Sequence, residues 1–311
     1  YVDIVVGPQA YHKLPNLLKN FIEKRKKQVD TNLNVDEKFD ILQLLDNKES
    51  KVSSFITIQE GCDKFCKFCV VPYTRGPEFS RDHNKIIDEA KFLSENGAKE
   101  IILLGQNVSS YNHNNISLAK LIKKISKIED IKRIRFTTSH PNDFDEELIS
   151  LFGEEPKLMP QLHLPIQSGS DKILKLMNRK HTIKSYIEVF NKLKKINSKI
   201  EFSSDFIVAY PGEDEKDFKD TLNLIDEVKF INSYSFVFSP RPGTLASNLP
   251  VIDKSKSFER LEIIQERLFS NQIQKNKLLE NTIIDVLVEN RIEDKTKLFG
   301  RSEYMTSVLF R

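Results

Sequence analysis

The chain has 311 residues, of which 39% are hydrophobic and 30% charged, with 48 Lys and Arg against 45 Asp and Glu and a formal net charge of +3. That composition is ordinary for a globular protein, and no apolar run approaches the roughly 18 residues that cross a bilayer, so a membrane span is excluded. Only three cysteines occur, all within residues 62–69, which excludes a secreted disulfide scaffold and fits a reducing cytoplasm. The small positive charge permits nucleic-acid binding without demanding it, because its lysines spread along polar helix faces.

In chain order, residues 1–22 carry a short apolar strand (Ile4, Val5, Val6), a Gly7-Pro8 break and a helix with Leu14, Leu17, Leu18 and Phe21. They read as the tail of an upstream domain. Residues 23–52 are polar and charged, with KRKK at 24–27, and read as a linker. From Ser53 short strand-like runs alternate with amphipathic helices. FITI (55–58) precedes a helix carrying Ile86, Ile87, Ala90 and Leu93, which Gly97 closes. IILL (101–104) precedes a helix with Leu118, Leu121, Ile122 and Ile125, for which Ser117 is the expected N-cap. RIRFTT (133–138), QLHLPI (161–166), EFSSDFIVAY (201–210) and SYSFVF (233–238) supply the remaining strands, the first three each followed by helical periodicity.

Six β-then-α units predict a parallel sheet with helical crossovers. Six is fewer than the eight of a closed barrel, so the expected fold is an α/β partial (β/α)6 barrel of the TIM type, with a doubly wound open sheet as the alternative. The core spans 53–250, followed by a connecting helix over 251–280 and a β-rich unit over 281–311 that begins with TIIDVLVE. The chain opens on Tyr1 without a charged leader or small-residue cleavage site and stops inside a strand-like run, so this reading expects it to be cut at both ends.

In parallel α/β folds functional groups gather at the carboxyl ends of the strands. Those positions here are polar or glycine-rich: Glu60-Gly61-Cys62, Gly105-Gln106-Asn107, Ser139-His140-Pro141, Gln167-Ser168-Gly169, Pro211-Gly212-Glu213 and Ser239-Pro240-Arg241. The strongest signal is GCDKFCKFC at 61–69. Thiolates of Cys62, Cys66 and Cys69 on one loop can grip three irons of a 4Fe-4S cluster and leave the fourth open to another ligand. Structural zinc would need a fourth protein ligand. The nearest downstream histidine, His83, stands at no familiar zinc spacing. A non-catalytic module with a structural zinc site that binds RNA is the alternative of a different class.

The cysteine spacing resembles that of the radical S-adenosylmethionine superfamily. There the open iron is chelated by the amino and carboxylate groups of S-adenosylmethionine, and an electron from the cluster cleaves it to a 5′-deoxyadenosyl radical. ITIQEGCDKFCKFCVVPYTRGPEFSR (56–81), LLGQNV (103–108), TSHP (138–141), LHLPIQSGS (162–170), MNRKHT (177–182), DFIVAYPGE (205–213) and SPRPGT (239–244) resemble the methylthiotransferase family. VVPYTRG and LLGQNV point to its MiaB-type, tRNA-modifying branch. The alternatives within the family are another tRNA adenosine or a ribosomal protein as substrate.

The resemblance implies conversion of N6-isopentenyladenosine at tRNA position 37 to its 2-methylthio derivative. It implies a 4Fe-4S cluster on Cys62, Cys66 and Cys69 and bound S-adenosylmethionine. Phe68 lies beside the adenine, Gly105, Gln106 and Asn107 against the methionine end, and Gln167, Ser168 and Arg179 along the carboxylate and ribose. One departure is Ala209, where the family usually has glycine. A second cluster is expected on three cysteines of an N-terminal methylthiotransferase domain, of which residues 1–22 resemble the tail. Residues 281–311 resemble the start of a TRAM-like RNA-binding domain. The expected partners are the anticodon stem-loop of the tRNA and an electron donor such as flavodoxin or ferredoxin, with the protein a cytoplasmic monomer. Of the histidines, His163 is expected in the core, flanked by Leu162 and Leu164, and His140 is open between core and site.

Overall fold

The computed structural model describes residues 2–33, 51–137, 139–292 and 296–311. β1 (Ile4–Val6) and β2 (Gln28–Asp30) pair in parallel around a 3-10 turn at Pro8–Lys13 and helix α1 (Leu14–Lys24). β2 lies inside the segment read as a linker. Val29 between Gln28 and Asp30 offered no apolar run to mark it. Residues 34–50 of that segment, and Thr138 of the TSHP motif, lie outside the described residues.

β3 (Ser53–Thr57) starts the core. β4 (Gln59–Glu60) and β5 (Phe79–Ser80) form a small antiparallel hairpin around the cysteine loop and the short helix α2 (Val71–Arg75). Asp82 caps α3 (His83–Glu95) by accepting from the Asn84 and Lys85 amides, and Gly97 (φ 105°) turns the chain into β6 (Glu100–Leu104). A hairpin of β7 (Asn112–His113) and β8 (Ile116–Ser117) follows, then α4 (Leu118–Ile125) with Ser117 as the expected N-cap. β9 (Arg133–Phe136), α5 (Glu146–Glu154), β10 (Gln161–His163), α6 (Asp171–Leu176) and α7 (Ile183–Ile196) continue the alternation.

The stretch EFSSDFIVAY is two strands, β11 (Glu201–Ser203) and β12 (Asp205–Val208), divided at Ser204. The Ser204 hydroxyl accepts from the Ile166 amide at 3.0 Å and donates to the Asp205 carbonyl at 3.2 Å. A side chain has taken the place of ladder partners. α8 (Glu215–Val228) and β13 (Tyr234–Val237) complete the alternating set, α9 (Lys254–Lys277) lies over β13 and α8, and β14 (Val286–Arg291), β15 (Leu298–Ser302) and β16 (Ser307–Phe310) form an antiparallel sheet.

The strand pairs of the barrel wall all run parallel, the β4–β5 and β7–β8 hairpins aside. β3 pairs with β6 and β6 with β9, Ile134 of β9 bridges to Leu158 just before β10, β10 pairs with β11, and β12 pairs with β13. Neighbours in space follow chain order without reversal, which distinguishes a barrel wall from a doubly wound sheet. No pairing joins β3 to β13 among the described residues, so the barrel is partial and open. Ile56, Leu103, Ile134, Phe136, Leu162 and Phe202 are buried between wall and helices with Leu121, Ile122, Leu148 and Leu151.

The amino ends of the wall hold the C-terminal sheet. Arg133 donates to the Arg301 and Asp285 carbonyls at 2.8 and 3.0 Å, and Arg135 to the Ser302 carbonyl at 3.2 Å. Arg135 also pairs with Glu100 at 2.7 Å, and both are almost fully buried. Arg135→Leu strands the Glu100 carboxylate with the Ser53 hydroxyl. It is expected to cost about 3–5 kcal/mol in denaturant unfolding, against at most about 1 kcal/mol for Arg267→Ala, whose pair with Asp226 is exposed.

Candidate active site

The carboxyl ends of the strands form one rim, and the cysteine loop crosses it between β4 and β5. Two unusual backbone positions shape the loop: Gly61 at φ 76° and Phe65 at φ 48°. A Cβ on Gly61 would stand 1.9 Å from the Pro77 carbonyl oxygen, so only glycine fits. The loop is tied down from three sides. The Lys67 amide donates to the Met177 carbonyl, the Ala246 amide to the Lys67 carbonyl, both at 2.9 Å, and the Asn178 amide group to the Phe65 carbonyl at 2.9 Å.

Gln59, fully buried, joins this loop to the second rim segment. Its Nε2 donates to the Gly61 carbonyl at 2.8 Å, while its Oε1 accepts from the Gln106 and Asn107 amides, both at 2.9 Å. Gln106 Oε1 accepts from the Gly61 amide at 2.9 Å. Gly105 must be glycine for this approach, since a Cβ there would meet Gln59 Oε1 at 2.7 Å. Gln59→Leu keeps the volume but leaves two inner amides without an acceptor. The expected loss is about 2–6 kcal/mol by thermal unfolding, with weaker retention of iron.

The thiols face donors suited to anionic sulfur. The Val71 amide lies 3.5 Å from Cys69 Sγ and Arg179 Nη1 lies 3.6 Å from Cys66 Sγ. Burial, then Glu78 and the other two cysteines, pushes the Cys62 thiol up to about 11 despite the Lys64 amide, and burial raises Cys69. Three thiols gathered on one half-buried loop, with amide and guanidinium N–H groups directed at sulfur, fit a bound iron–sulfur cluster, whose irons supply the positive charge that thiolates require.

The structure brings most of the expected residues to this place. Phe68 packs with Ile173, Met177, Tyr210 and Phe238, and it lines a cavity of about 510 Å³ with Gln167, Asp205, Phe238, Ser239 and Arg241. Gln167, in the lining of that cavity, holds φ at 79°, a strained conformation for a residue with a side chain. Arg179 donates through Nη2 to the Pro165 carbonyl at 2.7 Å and through Nη1 toward Cys66, so its guanidinium already braces the loop.

Two expected residues are engaged elsewhere through their side chains. The Asn107 amide group donates to Glu78 at 3.0 Å and Asp143 at 2.7 Å, and Ser168 turns inward to the Thr221 hydroxyl at 3.4 Å. Ala209 has φ 56°, a left-handed conformation that costs a non-glycine residue about 1–2 kcal/mol, which gives the family's glycine a physical reason.

The histidine expectation is corrected. His163 is half-buried and bonded to Ser203 at 2.9 Å and Asp205 at 3.3 Å, because strand alternation puts Leu162 and Leu164 in the buried apolar cluster and His163 on the opposite, polar face. His140 is the enclosed one. Burial, then Arg179, pushes it down to about 2, and His181 beside it is pushed down to about 3 for the same reasons. Gln59, Glu78 and Asp143 were not singled out from sequence. The first two sit inside the motif at 56–81 and Asp143 two residues after TSHP, so nearness to a motif was the available signal.

Comparison with known proteins gives a consistent result. The Radical SAM superfamily model matches residues 56–225. The chain is 60% identical over 314 residues to the tRNA-2-methylthio-N(6)-dimethylallyladenosine synthase of Pelagibacter ubique (strain HTCC1062), covering 100% of this chain and 70% of that protein. It is 47% identical over 317 residues to the protein of the same name from Anaplasma phagocytophilum (strain HZ), covering 99% of this chain and 70% of that one. Among solved structures, coproporphyrinogen III oxidase (HemN) from Escherichia coli, a radical SAM enzyme, matches with a TM-score of 0.54 at 16% identity, over 74% of this chain and 55% of that one. At such identity the likeness shows the fold alone. The chain belongs to the radical S-adenosylmethionine superfamily and, within it, to the family of the tRNA-2-methylthio-N(6)-dimethylallyladenosine synthases.

Proposed function

We infer that the chain carries the radical S-adenosylmethionine core of a tRNA methylthiotransferase, which converts N6-isopentenyladenosine at tRNA position 37 to its 2-methylthio derivative. The single observation that carries this reading is the cysteine loop, held over the barrel rim beside the Gly105–Asn107 segment, in a chain 60% identical to a protein named for that reaction.

Bound on Cys62, Cys66 and Cys69, a 4Fe-4S cluster supplies the electron that splits S-adenosylmethionine. The protein's part is to bind, orient and exclude water. Arg179 and the Val71 amide direct N–H groups at the ligating sulfurs. Phe68 offers a flat face at the cavity for an adenine, and Met177, Tyr210 and Phe238 close the space behind it. Gly105 leaves room along the rim, and Gln106 fixes the loop at Gly61. Asn107 and Ser168 contribute by holding the rim from within, and Gln167 by presenting its strained backbone in the cavity lining.

Of residues 23–52, the part that follows β2 serves as a linker between the tail of a methylthiotransferase domain and the core. The sheet β14–β16 acts as a TRAM-like RNA-binding element, the protein works as a monomer in the cytoplasm, and a flavodoxin or ferredoxin supplies the electron. Among the described residues no helix is long and apolar enough to cross a membrane.

All three cysteines of the chain lie in one loop, so the product's sulfur comes from outside these 311 residues. Reduced anaerobically with dithionite, the 311-residue chain is expected to cleave S-adenosylmethionine to 5′-deoxyadenosine. It is expected to give no methylthio product from isopentenylated tRNA until a separate sulfur source is added, as read by mass spectrometry of digested tRNA. Methylthiolated adenosine from the chain alone would contradict this placement of the sulfur source.

A further inference from the structure

His83 fits no ligand pattern with the cysteine loop, but the fold gives it other company. Three donor groups, Asp82, His83 and His113, have ligand atoms within 4.8 Å of one another, all on half-buried residues. His83 opens helix α3 and Asp82 is its N-cap. His113 comes from the β7–β8 hairpin, 30 residues away.

Local sequence explains the meeting. Asn114 and Asn115 both adopt positive φ, 51° and 61°, which makes the tight two-residue turn favoured by twisted hairpins. Ser80 Oγ accepts from the Asn112 amide at 3.0 Å and pins the hairpin against the strand that leads into Asp82. The His113 ring is thereby delivered to the His83 ring, with Nδ1 facing Nδ1 at 3.1 Å.

That spacing has a chemical meaning. Two nitrogens bound at about 2.0–2.1 Å to one ion lie roughly 2.9–3.4 Å apart as the angle between them opens from square to tetrahedral. The observed 3.1 Å falls inside this interval. A direct imidazole–imidazole hydrogen bond would produce a similar distance; the second Asp82 oxygen, which the cap does not use, is what adds a third donor. Both capping bonds fall on Asp82 Oδ1, so Oδ2 is available as a ligand while the cap stays intact. A helix amino end disfavours a cation, and the Asp82 carboxylate offsets that field.

We propose that Asp82, His83 and His113 form a second metal site, for a single divalent ion of the zinc type, distinct from the cysteine loop. Two imidazoles and one carboxylate leave at least one position for water. The ion staples the β7–β8 hairpin to the start of α3 and thereby steadies the segment that follows the Gly105–Asn107 rim.

The test uses the cluster-loaded protein, kept anaerobic, titrated with zinc chloride by calorimetry, with iron measured before and after. The expected result is one zinc per chain bound without loss of iron, with zinc raising the unfolding temperature. The double variant His83→Ala, His113→Ala should keep its iron and its circular dichroism but bind zinc at least tenfold more weakly and lose the thermal shift. Diffraction above and below the zinc absorption edge, on crystals grown with zinc, should place an anomalous peak between the two Nδ1 atoms and Asp82. Equal zinc binding by parent and variant, or no peak at the three residues, would overturn the site. If the double variant loses its fold, Asp82→Asn, which retains a cap and both rings, must still weaken zinc at least tenfold.

Discussion

Alanine at any one of Cys62, Cys66 or Cys69 is expected to empty the cysteine loop of iron. A loop with three thiolates holds three irons of a four-iron cluster and has no spare sulfur, since these are the chain's only cysteines. Losing a ligand itself should exceed the roughly 10–100-fold effects seen when only the surroundings of a metal site are altered. The brown colour, the acid-labile sulfide and the cleavage of S-adenosylmethionine should vanish together. The fold should survive, because the loop lies on the rim rather than in the core, and the Lys67, Asn178 and Ala246 bonds that hold it are mostly main-chain. Iron retained near parent level by any of the three variants would show that another group ligates in its place.

Gly61→Ala is the second large effect. The added methyl would meet Pro77 O at 1.9 Å, Pro77 C at 2.5 Å and Gly76 O at 2.6 Å, all backbone atoms that cannot swing aside like a side chain. Gly61 also holds φ at 76°, which an alanine adopts only at a cost. Together, strain and overpacking are expected to destabilise by about 2–5 kcal/mol. Relief would require the loop to lift, breaking the Gly61 amide bond to Gln106 and the Cys62 amide bond to the Gly76 carbonyl. Cluster retention should fall with stability. Gly243→Ala provides the comparison, because Gly243 has φ 84° but no atom within 4 Å of an added Cβ. It should show the conformational cost alone, about 1–2 kcal/mol, with iron unchanged.

Much of this was legible in the sequence, and the reasons differ by element. The helices over 83–95 and 118–125 were readable because apolar residues three and four apart coincide with a closing glycine for the first and a capping serine for the second. The strands IILL and RIRF were readable as apolar or β-prone runs ending in polar rim residues. The partial barrel required the strand order, which periodicity does not encode. β4 and β5 are two residues each and Gln28–Asp30 has one apolar residue, so neither offers a period to detect. The break at Ser204 arises from a serine hydroxyl bonding to a segment 38 residues away, a tertiary event invisible to local pattern.

The site divides along the same line. The cysteines were legible because ligand spacing on a single loop is itself a sequence property. Gln59, Asp143 and the inward turn of Ser168 were not, because they depend on which face of a strand or loop meets a neighbour from far along the chain. His83 and His113 are separated by 30 residues, and only the hairpin turn at Asn114-Asn115 brings them together.

The central claim is that three cysteines hold a four-iron cluster whose remaining iron is open to S-adenosylmethionine. Electron paramagnetic resonance of the dithionite-reduced protein, recorded with and without S-adenosylmethionine, tests it most directly. The account predicts a single reduced 4Fe-4S signal whose g-values shift when S-adenosylmethionine is added. A protein with no iron–sulfur signal, or with one that is identical in both samples, would contradict it.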